Sequence, residues 1–158
     1  MADLVTIADS ILYGRYKQFR TFSGQIAQLS MEAVKHARTF MDLPESLRFH
    51  IRPLGGKYNG VYINYFDRVE LDPRRKNLGV VLSTIMHELV HAEQFHTGRL
   101  KLTAGTYHWN DEAVKKLGNS YEEYKNRPWQ TEAFTRQDEL AKKITAMIVA
   151  DKGSSSCL

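Results

Sequence analysis

The sequence has little with which to form covalent cross-links. It contains a single cysteine, Cys157, in 158 residues, so no internal disulfide can form and no cysteine cluster can bind a metal. Long apolar runs are also missing, which argues against a membrane-spanning helix, and the first residues lack the features of a secretory signal. We therefore expect a soluble, cytoplasmic protein in which any metal is held by histidine, aspartate or glutamate.

The composition is that of an ordinary folded domain. Hydrophobic residues make up 42% of the chain and aromatic residues 11%, and the length suits one domain, which we place at 1–152 with a flexible tail at 153–158. The net charge of +4 could favour nucleic acid, but the basic residues are scattered, with short clusters only at 73–76 and 114–116. Nucleic-acid binding is therefore weakly supported.

Hydrophobic periodicity predicts an amphipathic helix and then a small sheet. Apolar residues recur at three- and four-residue steps from Gln25 to Met41, which indicates a helix. Alternation at Leu47, Phe49 and Ile51 indicates a half-buried strand, and the Tyr-, Val- and Ile-rich segment 57–75 predicts one or two more. The first half of the chain thus predicts an α+β fold.

The second half predicts two longer helices separated by an irregular segment. Apolar residues at i, i+3, i+4, i+7 and i+8 predict a helix from about Asn77 to His96, with Gly98 as its stop. A last helix is predicted to begin near Pro128, a residue suited to the first helical position. Residues 100–126 lack a sustained period and predict irregular structure with short elements, the kind of segment that often carries function.

The motif HELVH, residues 87–91, lies on the first of these helices. Residues four apart differ by about 40° around a helix, so His87 and His91 project from one face and can bind one ion. Glu88 is offset by about 100°, where it can reach a metal-bound water. This is the arrangement of zinc hydrolases, in which zinc lowers the pKa of the water and a carboxylate takes its proton.

A catalytic zinc site needs a third protein ligand. His96 and Glu93 face away on the same helix, and the metzincin pattern is excluded because Gln94 and Thr97 stand where it needs glycine and histidine. Two candidates remain: Glu132, in the first turn of the last helix, and His108, in the segment between the helices. The spacing favours Glu132 without deciding between them.

Peptide hydrolysis also needs a donor for the developing oxyanion and a place for the substrate. His108 and Tyr124 are our preferred donors among the polar aromatic residues between the two helices. The segment GVYINYFDRVEL, residues 60–71, is the candidate edge strand along which an extended peptide would bind.

The segments HELVHAEQ, YHWN and YKNRPWQTEAF resemble those of small gluzincin-type HExxH metallopeptidases, in particular peptidases encoded by tailed bacteriophages. The likeness covers about Tyr58 to Leu140. It implies a zincin-like fold with a small, mostly antiparallel sheet, an active-site helix and a C-terminal helix that carries the glutamate ligand. It further implies a zinc cofactor held by His87, His91 and Glu132, with Glu88 as general base.

Two positions depart from the family pattern. Many relatives have an acidic residue where this chain has Gln130, and larger gluzincins have an aspartate where Arg136 stands. These departures concern groups around the ligands, which influence metal affinity and rate.

Three functions of different classes follow from these observations. The leading prediction is a zinc metallopeptidase acting on a peptide or protein substrate. The second is a DNA-associated protease like the SprT group, with His108 as third ligand. The third is a zinc-stabilised structural protein, such as a virion component, with little or no catalytic turnover.

Overall fold

The computed structural model describes residues 4–74, 77–115 and 117–151. The helices are α1 (Leu4–Tyr16), α2 (Phe22–Ala37), α3 (Leu78–His96), α4 (Tyr121–Lys125) and α5 (Pro128–Ala150). The strands are β1 (Arg48–Ile51), β2 (Gly60–Ile63), β3 (Arg68–Leu71), β4 (Leu100–Thr103), β5 (Thr106–Trp109) and β6 (Glu112–Ala113). The fold is α+β, as the sequence predicted. The expected tail at 153–158 and parts of both basic clusters lie outside the described residues.

Helix α3 is the central element of the fold. The Asn77 side chain caps its first turn by accepting a hydrogen bond of 2.9 Å from the Val80 N–H, which satisfies a backbone donor that has no partner within the helix. Gly98 follows the helix with φ of 77°, the left-handed conformation common at helix ends. The predicted helix from Asn77 to His96, stopped at Gly98, is confirmed.

The apolar face of α3 lies in the main core. Leu82, Ile85, Met86 and Leu89 are fully buried and belong to a cluster that also includes residues of α1, α2, β3 and α5. Helices α1 and α5 make the most extensive contacts with α3. Because apolar side chains surround α3 on several sides, the backbone that carries the HELVH motif is held firmly.

The first sheet has the strand order β1-β3-β2, with β1 parallel and β2 antiparallel to β3. Strand β2 is therefore an edge strand. Gly60 begins it where the backbone passes close to α3: a Cβ at this position would be 2.7 Å from the Thr84 methyl carbon. The lack of a side chain at Gly60 lets the edge strand approach the helix that bears the motif.

The second sheet lies in residues 100–126, for which the sequence predicted irregular structure with short elements. Strands β4, β5 and β6 form an antiparallel sheet. Their two connections, Ala104-Gly105 and Asn110-Asp111, have positive φ at both residues, as two-residue hairpin turns require. One of these turns lacks the glycine that usually marks such a turn.

Helix α5 begins at Pro128, as predicted. Tyr107 and Trp109 of β5 pack against Trp129 in its first turn, with ring centroids 5.0 Å and 6.2 Å apart. The second sheet therefore fixes the start of α5. Among the described helices, none is both long and apolar enough to span a membrane.

Candidate metal centre

His87 and His91 lie side by side on α3, as their spacing predicted. Their Nε2 atoms are 3.2 Å apart, and the two residues are 8% and 7% exposed. Burial lowers the pKa of His87 and, together with the neighbouring His87, lowers the pKa of His91 to about 4. Both rings are therefore neutral near pH 7, which is the form that binds metal ions.

Two glutamine amides orient these rings. The Nδ1 atom of His91 is 2.8 Å from Gln94 Oε1, and the Nδ1 atom of His87 is 2.8 Å from Gln137 Oε1. The Gln94 amide nitrogen donates to the Trp129 carbonyl at 3.1 Å, so its oxygen is the end that faces His91. Since an amide oxygen accepts, the Gln94 contact places the proton of His91 on Nδ1 and leaves its Nε2 with a lone pair. The Gln137 oxygen favours the same tautomer in His87.

Gln130 provides a third acceptor atom at the same point. Its Oε1 atom is 3.1 Å from the Nε2 atoms of both His87 and His91, and the residue is 6% exposed. In the sequence, Gln130 stands out only as a departure from the family pattern. The helical spacing does relate it to two other residues: Gln130, Phe134 and Gln137 lie at i, i+4 and i+7 on α5, and all three contact His87.

Glu132, the third ligand that the resemblance implies, lies close enough to His91 for its charge to affect the pKa of that ring, but its hydrogen bonds go to other side chains. Its carboxylate accepts two hydrogen bonds from Arg99, at 2.7 Å and 2.8 Å, and one from Gln94 Nε2 at 3.0 Å. The Arg99 guanidinium lowers the pKa of Glu132 to about 2. Glu132 therefore acts on His91 indirectly: it accepts a hydrogen bond from Gln94, the residue whose amide orients the His91 ring.

Glu88 borders a cavity of about 570 Å³ on the side of α3 that faces β2 and α4. We call this cavity the α3 cleft; its lining includes Gly60, Thr84, His87, Glu88, Tyr124 and Gln137. Burial raises the pKa of Glu88 to about 8, opposed by a hydrogen bond from the Tyr62 N–H of the edge strand. A carboxylate with a pKa raised into this range is suited to exchanging protons near neutral pH.

Tyr124, one of the two predicted oxyanion donors, lies in the α3 cleft. Its hydroxyl accepts a hydrogen bond of 2.8 Å from Gln130 Nε2. Burial and the nearby Glu88 raise the pKa of Tyr124 to about 12. The hydroxyl thus keeps its proton at physiological pH and can donate it in a hydrogen bond to a bound substrate.

His108, the other predicted donor and the alternative third ligand, is not brought to the site. Its neighbours Tyr107 and Trp109 face Trp129, and because side chains alternate along a strand, His108 lies on the opposite face of β5. It is not part of the lining of the α3 cleft. Its Nδ1 atom is buried without a hydrogen-bond partner in the structure.

The donor set at the histidine pair suits a metal ion. In residues 4–74, 77–115 and 117–151, no three His, Cys, Asp or Glu side chains are grouped to hold an ion, but the amide oxygen of Gln130 joins the two histidines. Four ligands at about 2.0–2.1 Å from zinc are about 3.3 Å from one another. The three acceptor atoms, separated by 3.1–3.2 Å, have close to this spacing.

Comparison with known proteins finds no family model, curated protein or solved structure that matches the chain.

Proposed function

We propose that the protein is a zinc-dependent metallopeptidase that cleaves a peptide bound in the α3 cleft. One observation supports this most strongly. His87 and Glu88 line the same cavity of about 570 Å³, and the Nε2 atom of His87 lies 3.2 Å from that of His91. Metal ligands, a proton acceptor and room for a substrate thus meet at one place.

His87 and His91 would hold the zinc ion. When bound, zinc acts as a Lewis acid toward the peptide carbonyl and lowers the pKa of water. The two residues suit this role because both rings are neutral and turn Nε2 toward the same point. The hydrogen bonds to Gln94 and Gln137 keep the rings in that orientation and increase their affinity for a metal.

Glu88 is the general base in this proposal. Its carboxylate borders the cleft next to His87 and can take a proton from the attacking water and pass it to the leaving amine. Burial favours the protonated form of Glu88, whereas a cation held by the histidines would favour the ionised form that the first step requires.

Tyr124 supplies the hydrogen bond to the oxyanion. Its hydroxyl lies in the same cleft, stays protonated, and accepts from Gln130, so its own O–H can point toward the substrate. A donor placed at the carbonyl oxygen becomes more favourable as negative charge develops there.

The edge strand β2 is the proposed binding surface for the peptide backbone. Strand β2 pairs with β3 on one side and lies at the free edge of this sheet, and the backbone of Tyr62 in β2 lies close enough to Glu88 to lower its pKa. A peptide added along that free edge would pass directly by the proposed base. This arrangement of edge strand, motif helix and later helix is also the basis on which we propose a zincin-like fold.

The SprT-like alternative depended on His108, which lies away from the α3 cleft, and we do not retain it. The third alternative, a zinc-stabilised protein without turnover, has the same metal-binding residues, but Glu88 does not act as a base in it. A mutation of Glu88 therefore distinguishes the two remaining functions.

The test is hydrolysis of a peptide library by the zinc-loaded protein, followed by mass spectrometry. We expect cleavage that a chelator abolishes and added zinc restores, and a loss of at least 10³-fold in Glu88→Gln with zinc content unchanged. Glu93→Gln is the matched control, because this glutamate lies on the same helix and hydrogen-bonds to Asp42 and Arg136 instead. Zinc binding without cleavage in the parent protein would favour the structural role.

A further inference from the structure

We propose that Gln130 is the third protein ligand of the metal, so that a neutral amide oxygen acts where the family pattern predicts a carboxylate. This inference rests on the proposed function, because it names a ligand of the same site. Gln130 Oε1 is equally distant, at 3.1 Å, from the Nε2 atoms of His87 and His91.

The three atoms at the proposed site are all acceptors when each imidazole carries its proton on Nδ1. Gln94 fixes this tautomer for His91, and the Gln137 oxygen, 2.8 Å from Nδ1, favours it for His87, which leaves a lone pair on each Nε2. Gln130 Oε1 is also an acceptor only. Three buried acceptors within 3.2 Å repel one another unless a cation lies among them.

The Gln130 amide has its oxygen toward the histidines in the structure. In this orientation its Nε2 atom donates to the Tyr124 hydroxyl at 2.8 Å. The opposite orientation would place the amide N–H groups on both Nε2 atoms and would make Gln130 a competitor of the metal. The two orientations predict opposite effects of removing the amide.

Glu132, the ligand that the family resemblance implies, is held elsewhere by hydrogen bonds. Its carboxylate accepts two from Arg99 and one from Gln94, and a move toward an ion beside His91 would disturb these contacts. Losing the Gln94 contact would also loosen the amide that orients His91. Gln130 needs no such rearrangement.

A neutral third ligand has a measurable consequence. An amide oxygen attracts a divalent cation less strongly than a carboxylate does, because it has only a partial negative charge. The parent protein is therefore expected to bind zinc more weakly than a variant with a carboxylate at residue 130. This reverses the usual effect of a mutation at a metal ligand, since Gln130→Glu improves binding.

The experiment is a zinc affinity measurement by competition with a chromophoric chelator, on the full chain and on Gln130→Leu, Gln130→Glu and Glu132→Gln. Circular dichroism verifies that each variant is folded. We expect zinc affinity to fall at least tenfold in Gln130→Leu, to rise at least tenfold in Gln130→Glu, and to change less in Glu132→Gln than in Gln130→Leu. If Gln130→Leu does not fold, Gln130→Ala takes its place, with the same expected fall in zinc affinity.

Each other result overturns the inference in a distinct way. Unchanged or tighter zinc binding by Gln130→Leu would mean that the amide nitrogen faces the histidines. Loss of zinc by Glu132→Gln, with both Gln130 variants like the parent, would make Glu132 the ligand; in both cases the peptidase proposal survives. Absence of zinc binding by the parent and all variants would reject the peptidase proposal together with the inference.

Discussion

The His91 ring donates its Nδ1 proton to the buried amide oxygen of Gln94 at 2.8 Å. The same amide donates to the Trp129 carbonyl and to Glu132, so one fully buried side chain ties α3 to the first turn of α5. The orientation of the metal-facing nitrogen of His91 thus depends on a residue three positions further along its own helix.

The Gln94→Leu variant should bind zinc 10- to 100-fold more weakly, because groups that hold a metal-binding histidine contribute about that much to affinity. The measurement is chelator competition on the folded protein. Gln25→Leu is the control for losing a buried glutamine, since Gln25 lies on α2 and donates to Phe19. Equal zinc affinities in the two variants would show that Gln94 has only a structural role.

The Tyr124→Phe variant should lose roughly 10²-fold in kcat with little change in KM and no loss of zinc, as expected when a donor to the oxyanion is removed. Steady-state kinetics on a cleaved library peptide provide the measurement. Tyr121→Phe is the matched control, because Tyr121 lines the same cleft but is 66% exposed.

The His108→Ala variant should leave both kcat and zinc content unchanged. A large effect on either would contradict the placement of His108.

The Arg99→Gln variant should raise the pKa of Glu132 from about 2 toward its ordinary value near 4.5, because the guanidinium is the main cause of the lowered pKa. A carboxyl whose pKa is lowered by folding stabilises the protein fully above its ordinary pKa, and this contribution is lost as the pH falls toward 2. Solvent screening keeps the expected loss in Arg99→Gln to about 1 kcal/mol at pH 7.

Carboxyl NMR titration measures the pKa of Glu132, and urea unfolding at pH 7 and pH 4 measures the change in stability, which should be smaller at pH 4. Lys101→Gln removes a more exposed ion pair with Asp111 and should change neither quantity. An unchanged Glu132 pKa in Arg99→Gln would contradict the assignment.

The Gly60→Ala variant should push β2 away from α3, because the new methyl group would lie 2.7 Å from Thr84 and 3.2 Å from the Glu70 carbonyl oxygen. We expect a loss of about 1–3 kcal/mol in the free energy of unfolding and a higher KM, since β2 is the proposed peptide-binding edge. Gly14→Ala is the control: nothing lies within 4 Å of that position in α1, so the change should be neutral or slightly stabilising. An unaltered KM in Gly60→Ala would argue against binding along β2.

The sequence was most informative where periodicity and local chemistry agree. Helix α3 could be predicted closely because its apolar stripe, the Asn77 cap and the Gly98 stop all indicate the same segment. The second sheet could not be predicted in this way, because its Asn110-Asp111 turn lacks the glycine that usually marks a tight turn. The sequence also could not show that Glu132 is hydrogen-bonded to Arg99 while Gln130 lies beside the histidines. Arg99 approaches α5 only in the folded chain.

Both tryptophans of the sequence, Trp109 and Trp129, lie together at the contact between the second sheet and α5, with ring centroids 6.2 Å apart. The carbonyl of Trp129 accepts a hydrogen bond from Gln94, and Trp129 is followed in the chain by Gln130. All tryptophan fluorescence of the protein therefore arises beside the residues that orient and complete the metal centre. Binding of an ion there should change this emission, which gives an optical signal of metal occupancy without any added label.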